Sequence, residues 1–115
     1  MAFFRLFRIL RQKQFMEITH DENRRRFWVT VDGYTAYVDY RLADGGLDIR
    51  HTIVPKEIGG RGIASALVKA AYDYACGQGL QPVATCSYAV VWLQRHPEYR
   101  GKASDDFGGK GTCAL

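Results

Sequence analysis

Hydrophobic and polar residues alternate with a period of two along the first half of the chain, and then adopt a helical spacing. Segments with the alternating pattern are Phe15–Thr19, Phe27–Val31, Tyr34–Leu42 and Leu47–Val54. This alternation is typical of half-buried strands, so we predict four of them. Asp32-Gly33 and the turn Ala43–Gly46 separate the last three, and such turns join antiparallel neighbours. The first half therefore predicts an antiparallel meander.

The second half contains two helical segments on either side of a short strand. Ala64, Leu67, Val68, Ala71, Tyr72 and Ala75 recur at helical spacing. They predict a helix from about Gly62 that ends at Gly77. Gln81–Cys86 is the predicted strand, and Tyr88–Arg95 is a second helix that must end before Pro97. The complete order predicts an α+β fold, a mostly antiparallel sheet with helices packed on it.

The fourth strand carries two candidate proton acceptors. In a regular strand, one face holds Leu47, Ile49, His51 and Ile53, and the other holds Asp48, Arg50, Thr52 and Val54. Asp48 and His51 would then point in opposite directions. Only one of them could face a substrate.

Charge is unevenly distributed along the 115 residues, which are enough for one domain. The net charge is +4, and the first 14 residues contain four basic residues, Arg5, Arg8, Arg11 and Lys13, without an acidic one. The remainder is therefore neutral, which argues against a nucleic-acid partner. We divide the chain into a basic amphipathic extension (1–14), a domain (15–100) and a flexible tail (101–115). The extension could pack on the domain, on a partner or on a membrane surface, or act as a targeting peptide.

Cysteine usage indicates the compartment. Cys76, Cys86 and Cys113 are an odd number and show no C-x-x-C spacing. This pattern argues against a disulfide framework and against a zinc site, and it fits a reducing compartment, so we expect a cytoplasmic protein. We expect no metal, because the three histidines are scattered, and no apolar run reaches the length of a membrane span.

The most informative motif is the glycine-rich segment Gly59–Ala64, which lies between a predicted strand and a predicted helix. Such a turn exposes N–H groups at the positive end of a helix dipole and can bind phosphate. Ser65 occupies the third glycine position of the dinucleotide fingerprint, and no lysine follows Gly62 as in the nucleotide P-loop. The remaining template is the pyrophosphate loop of the GNAT acyltransferases, matched except at Gly59. A glycine-rich turn without a ligand is the alternative.

Several further segments carry a family resemblance. They are Thr35–Tyr40, Leu47–Thr52, Val54-Pro55, Gly60–Val68, Cys86 with Tyr88, and His96–Tyr99. Together they resemble the small single-domain GNAT-like N-acetyltransferases of the YjdJ type, from about Phe15 to Tyr99. The resemblance implies a reduced GNAT fold without helices between its first two strands. It also implies acetyl-CoA as the cofactor and transfer of acetyl to an amine of undefined identity. The open acceptor side would suit a peptide or protein.

The resemblance also implies cofactor-binding residues. In GNAT folds the fourth and fifth strands diverge, and the pantetheine arm enters between them. Backbone groups of Thr52, Ile53 and Val54 would contact the pantetheine and its thioester. Amides of the loop would hold the pyrophosphate, and Arg61 could add a charged contact. The loop residues in this role are Gly59, Gly60, Arg61, Gly62, Ile63 and Ala64.

Catalytic roles are less well defined. Asp48 or His51 could deprotonate the amine. Leu93 stands where many GNATs have a tyrosine acid, and Cys86 stands where they have an asparagine. Cys86 could be a nucleophile or an acid, and Tyr88 could be the substitute acid. Each of these residues also has a purely structural interpretation, so a non-catalytic CoA- or acyl-CoA-binding module is the alternative function.

Overall fold

The computed structural model describes residues 16–106. These residues form six strands and two α-helices: β1 (Thr19–Asp21), β2 (Arg26–Val31), β3 (Tyr34–Ala43), β4 (Gly46–Ile53), α1 (Ile63–Gly77), β5 (Gln81–Ala84), α2 (Ser87–Arg95) and β6 (Lys102–Ala103). Short 3₁₀ turns occupy Lys56–Ile58 and Pro97–Tyr99. The predicted extension 1–14 and most of the predicted tail, with Cys113, lie outside the described residues.

The strands form one sheet in the order β1-β2-β3-β4-β5-β6. The first four are antiparallel, whereas β5 runs parallel to β4 and β6 runs parallel to β5. Helices α1 and α2 are the crossovers that these parallel pairs require. The predicted fold class is confirmed: the fold is α+β, with a mostly antiparallel sheet and helices packed on it.

Two Asp-Gly hairpin turns close the central strands. Asp32 and Gly33 have φ of 52° and 83°, and Asp44 and Gly45 have φ of 53° and 74°. Positive φ at both central residues is the type I′ geometry, whose twist matches that of the flanking strands. The turn residues read from the sequence therefore define the register of β2 with β3, and of β3 with β4.

One face of the sheet is covered by both helices. Their apolar residues form a single cluster with those of the inner sheet face, and Tyr72 of α1 meets Trp92 of α2 with ring centroids 5.8 Å apart. The opposite face of β2–β4 carries Tyr37, Asp39 and Arg41, and within residues 16–106 no helix packs on it. No helix in that range is long and apolar enough to cross a membrane.

A β-bulge in β4 changes which residues face the core. Tyr40 pairs with Ile49, but the preceding residue, Asp39, pairs with His51, so Arg50 is an extra residue on β4. A bulge of this kind reverses the alternation beyond it. Thr52 consequently joins Leu47 and Ile49 in the core and is fully buried. The predicted faces are thus wrong beyond the bulge: Thr52 faces inward, and His51 is exposed on the outer face with Asp48.

The ends of the sheet differ from the predicted strands. β1 occupies Thr19–Asp21, where a turn was expected after Thr19, and β6 lies in the segment that was predicted to be the tail. Both edge strands are too short for their alternation to be visible. They depend on pairing with β2 and β5 respectively.

Candidate functional site

The glycine-rich loop leads from the end of β4 into α1. The 3₁₀ turn at Lys56–Ile58 directs the chain there, and Ile58 anchors the loop because its side chain is fully buried. Gly60 and Gly62 have φ of 75° and 79°, a left-handed conformation that other residues adopt at a cost. Gly62 immediately precedes the helix.

The N-terminus of α1 is open to an anion. Its first intrahelical hydrogen bond runs from Ala66 N to Gly62 O at 3.1 Å, so the preceding N–H groups point out of the helix end. No side chain caps this end, and the first turn contains no acidic residue. Backbone donors and the helix dipole therefore act together here without a competing carboxylate from the first turn.

A cavity of about 350 Å³ opens directly against this helix end. Its lining comes from the end of β4, the loop, the first turn of α1 and the first turn of α2: Val54, Lys56, Ile58, Gly59, Gly60, Gly62, Ile63, Ala64, Ser65 and Tyr88. Trp92 Nε1 donates to Ser65 Oγ at 2.9 Å and thereby holds the two helices together beside the cavity.

The strands β4 and β5 separate beside this cavity. Their pairing ends at Ile49 and Ala84, a point that we call the fork. The N–H groups of Thr85 and Cys86 both donate to Ile49 O, at 3.0 and 3.1 Å, and the chain then turns into α2. Beyond the fork, β4 pairs with β3 on one side only, as far as the described residues extend.

Cys86 lies in the core beneath the fork. It is the N-cap residue of α2, it is fully buried, and its Sγ lies 3.4 Å from Oγ1 of the equally buried Thr52. The bulge in β4 makes this contact possible, because it turns Thr52 inward. Among residues 16–106, no group of three or more His, Cys, Asp or Glu side chains is arranged to hold a metal ion.

Comparison with known proteins identifies this arrangement. Residues 26–102 match the sequence profile of the GCN5-related N-acetyl-transferase family. The chain belongs to this GNAT family. The match includes the glycine loop, the fork and both helices, so the predicted resemblance is confirmed. The six-stranded sheet with two helices is accordingly a small GNAT fold.

Named GNAT relatives cover most of the chain. Protein NATD1 of Gallus gallus is 34% identical over 89 residues, which cover 71% of this chain and 77% of that protein. Protein NATD1 of Homo sapiens is also 34% identical, with 71% and 75% covered. An NMR structure of a GCN5-like protein from Staphylococcus aureus superimposes with a TM-score of 0.60 at 30% identity, covering 76% of this chain and 87% of that one.

Most of the predicted cofactor residues come together at the cavity. Val54, Gly59, Gly60, Gly62, Ile63 and Ala64 line it, together with the predicted acid Tyr88. Thr52 and Cys86 are buried beneath the fork, and Ile53 is partly exposed next to them. Arg61 points elsewhere: its Nη1 donates to Asp32 Oδ2 at 2.7 Å, in an ion pair with the β2–β3 turn.

The two candidate bases differ in accessibility. Asp48 is 5% exposed and bonded to neighbouring side chains, whereas His51 is exposed on the same outer face. Leu93 does not line the cavity but packs toward Gly101, where a Cβ would lie 2.5 Å from the leucine Cδ2. The residue that replaces the usual tyrosine therefore has a packing role.

Sequence reasoning missed the contacts that join distant segments. Asp32 and Arg61 are 29 residues apart, Ser65 and Trp92 are 27 apart, and Asp48 and Thr85 are 37 apart. No motif in a single sequence marks such pairs. The sequence predicted only the local elements that carry some of these residues, namely the Asp-Gly turn and the start of the helix.

Proposed function

We propose that the protein is an acetyl-CoA-dependent N-acetyltransferase that acts on an amine. The observation that carries the proposal is the cavity of about 350 Å³, since it unites the glycine loop, the end of β4 and Tyr88 in one space. Membership in the GNAT family supports the class of reaction. The acceptor is an amine on a small molecule, peptide or protein.

The loop has the properties that a pyrophosphate requires. The uncapped N-terminus of α1 offers backbone donors, and the left-handed Gly60 and Gly62 have no atom within 4 Å of a would-be Cβ. An anion could therefore approach the backbone closely. Residues Gly59 to Ala64 would hold the pyrophosphate, and Arg61 could join them by leaving its ion pair with Asp32.

The fork has the properties that the pantetheine arm requires. Beyond Ile49, the described part of the chain supplies no second strand to β4 on the β5 side. Backbone groups of Thr52, Ile53 and Val54 are the proposed partners of the pantetheine amides, because the arm would extend the sheet at this edge. A backbone N–H in this segment would also polarise the thioester carbonyl.

Three side chains are proposed for proton handling and acyl transfer. Bound acetyl-CoA would supply a thioester carbon, to which the amine nitrogen bonds as the C–S bond breaks and the thiolate leaves. The amine attacks only after it loses its proton. His51 is the proposed proton acceptor, because it is exposed whereas Asp48 is buried. Tyr88 at the cavity is the proposed proton donor to the leaving thiolate, which becomes the thiol of CoA. Cys86 is disulfide-bonded, although the cysteine spacing argued against a disulfide framework, so it is a candidate nucleophile or acid only after reduction.

A second candidate function is a CoA- or acyl-CoA-binding module without turnover. The complete burial of Cys86 and the packing of Leu93 toward Gly101 favour it, because neither residue reaches the cavity. Both functions use the same cofactor site. They differ only in whether an amine is acetylated.

Calorimetric titration with acetyl-CoA and CoA, in reducing buffer, tests the shared cofactor site. Release of CoA with a panel of amines and peptides then separates the two functions. The acetyltransferase proposal expects turnover that falls at least tenfold in Tyr88→Phe, while acetyl-CoA affinity changes little. Binding without turnover supports the module, and absence of binding at millimolar cofactor rejects both. Acetyl on Cys86, detected by mass spectrometry, would indicate a covalent route.

A further inference from the structure

A buried carboxylate lies on the outer face of the sheet immediately before the fork. Asp48 is 5% exposed, and Thr85 Oγ1 lies 3.0 and 2.9 Å from its two carboxylate oxygens. Arg50 Nη1 donates to Asp48 at 3.2 Å and to Asp106 at 3.0 Å. A buried carboxylate is costly unless it is paired and hydrogen-bonded, and these partners satisfy it.

Thr85 is connected to β4 through both its backbone and its side chain. Its N–H donates to Ile49 O, and its hydroxyl donates to Asp48, the residue before Ile49. The same hydroxyl accepts from Arg50 Nη1 at 3.2 Å and bonds to Ser104 Oγ. These bonds fix β5 against β4 at the last position where the two strands run together.

The bulge of β4 begins at the next position. Arg50 is the extra residue, so β4 changes direction just beyond the pair that Asp48 and Thr85 hold. On the other side of the fork, the chain turns into α2 one residue after Thr85. The geometry of the opening between the strands therefore depends on how firmly this pair is held.

We propose that Asp48 is a positioning residue that, with Thr85, clamps β4 to β5 and so sets the opening that receives the pantetheine arm. This inference rests on the proposed function. It assigns Asp48 a different role from that of the general base considered from the sequence. A base must reach the incoming amine, whereas this buried carboxylate already accepts hydrogen bonds from Thr85 Oγ1 and Arg50 Nη1.

Three variants distinguish the two roles considered for Asp48, a clamp between β4 and β5 and a general base. Thr85→Val removes the hydroxyl while nearly keeping the shape, and we expect the Kd for acetyl-CoA to rise about tenfold, since a buried acceptor loses its donor. Thr85→Ser keeps the hydroxyl that valine lacks, so its Kd should stay within about threefold of the wild-type value. Asp48→Asn keeps one acceptor but loses the charge that pairs with Arg50, so its Kd for acetyl-CoA should rise severalfold, while turnover at saturating acetyl-CoA keeps the wild-type pH profile.

The opposite pattern overturns the proposal. If Asp48→Asn abolishes turnover while the Kd for acetyl-CoA is unchanged, then Asp48 is the base. If Thr85→Val binds acetyl-CoA like wild type, the clamp does not set the opening. Thr30→Val is the matched control, because Thr30 Oγ1 bonds to Thr35 Oγ1 at 2.9 Å on the exposed part of β2 and β3. It should leave the Kd unchanged.

A measurement without cofactor keeps the clamp testable if the proposed function fails. Amide hydrogen exchange reports the bonds from Thr85 and Cys86 to Ile49 directly. In Thr85→Val both amides should exchange about tenfold faster, whereas the amides between β2 and β3 should keep their wild-type rates. Unchanged exchange at Thr85 and Cys86 would reject the clamp, whatever the protein binds. Failure of wild type to bind acetyl-CoA would reject only the proposed function.

Discussion

Arg61 Nη1 lies 2.7 Å from Asp32 Oδ2, and this ion pair joins the tip of the β2–β3 hairpin to the glycine loop. The side chains are 47% and 66% exposed, so the pair stabilises the fold only weakly. The ion pair should instead affect cofactor binding, because it directs the Arg61 guanidinium toward a carboxylate and away from a pyrophosphate at the loop.

Removing the Asp32 carboxylate should strengthen binding of CoA. In Asp32→Asn the Arg61 guanidinium is released, and we expect the Kd for CoA to fall about two- to threefold at low salt. The gain should disappear at high salt, because exposed charges are screened. Asparagine accepts the positive φ of this turn, so the hairpin is retained.

The matched control for that change is Asp44→Asn, at the same position of the other Asp-Gly turn, with φ of 53°. Calorimetric titration at two salt concentrations should show no change in its Kd. A weaker affinity for CoA in Asp32→Asn would instead indicate that Asp32 positions Arg61 for the cofactor.

Two glycines of the loop, Gly59 and Gly62, should respond differently to substitution by alanine. Gly62 has φ of 79° with open space around it, so Gly62→Ala should lower the free energy of unfolding by about 1–2 kcal/mol through backbone strain alone. Gly59 has φ of −70°, and its would-be Cβ meets Lys56 O at 3.4 Å. Gly59→Ala should therefore cost less than about 0.5 kcal/mol. Urea unfolding measures both, and equal losses would contradict this explanation.

Features that depend on a few consecutive residues could be predicted from the sequence, whereas features that depend on distant residues could not. The Asp-Gly turns, the glycine loop and the start of α1 were predicted because each depends on a few consecutive residues. The bulge at Arg50 could not be predicted, because Leu47, Ile49 and Ile53 are spaced in the sequence as in a regular strand. A polar Thr52 in the core becomes intelligible only when Cys86 is placed against it.

Restoring the usual tyrosine should not restore an acid. Leu93 is 6% exposed and packs toward Gly101, so the larger ring of Leu93→Tyr would overfill this site. We expect the free energy of unfolding to fall by about 1–3 kcal/mol without any gain in turnover. Leu93→Met, which conserves volume, is the control and should cost less than about 1.5 kcal/mol. Higher turnover in the tyrosine variant would place position 93 at the reaction after all.

Stability should fall when the pH is lowered through the range of histidine, because of His20. Its ring stacks on Phe27 with centroids 4.0 Å apart and bonds to the Tyr40 hydroxyl. Burial lowers the pKa of His20 below its usual 6.5, although Glu22 and Asp21 raise it in part. The unfolded chain therefore takes up this proton at a higher pH than the folded protein does. Stability should rise with pH through this range and level off once the unfolded imidazole is neutral.

The pH dependence of wild type and of His20→Gln tests this assignment. Urea unfolding at pH 5, 6 and 7.5 should show that wild type loses stability toward pH 5 and that the variant loses less. An NMR titration of the His20 ring gives the folded pKa independently. The variant should be less stable than wild type at pH 7.5, since it loses the stacking on Phe27. An identical slope in the two proteins would assign the pH dependence to another group, and a folded pKa above 6.5 would reverse the sign of the argument.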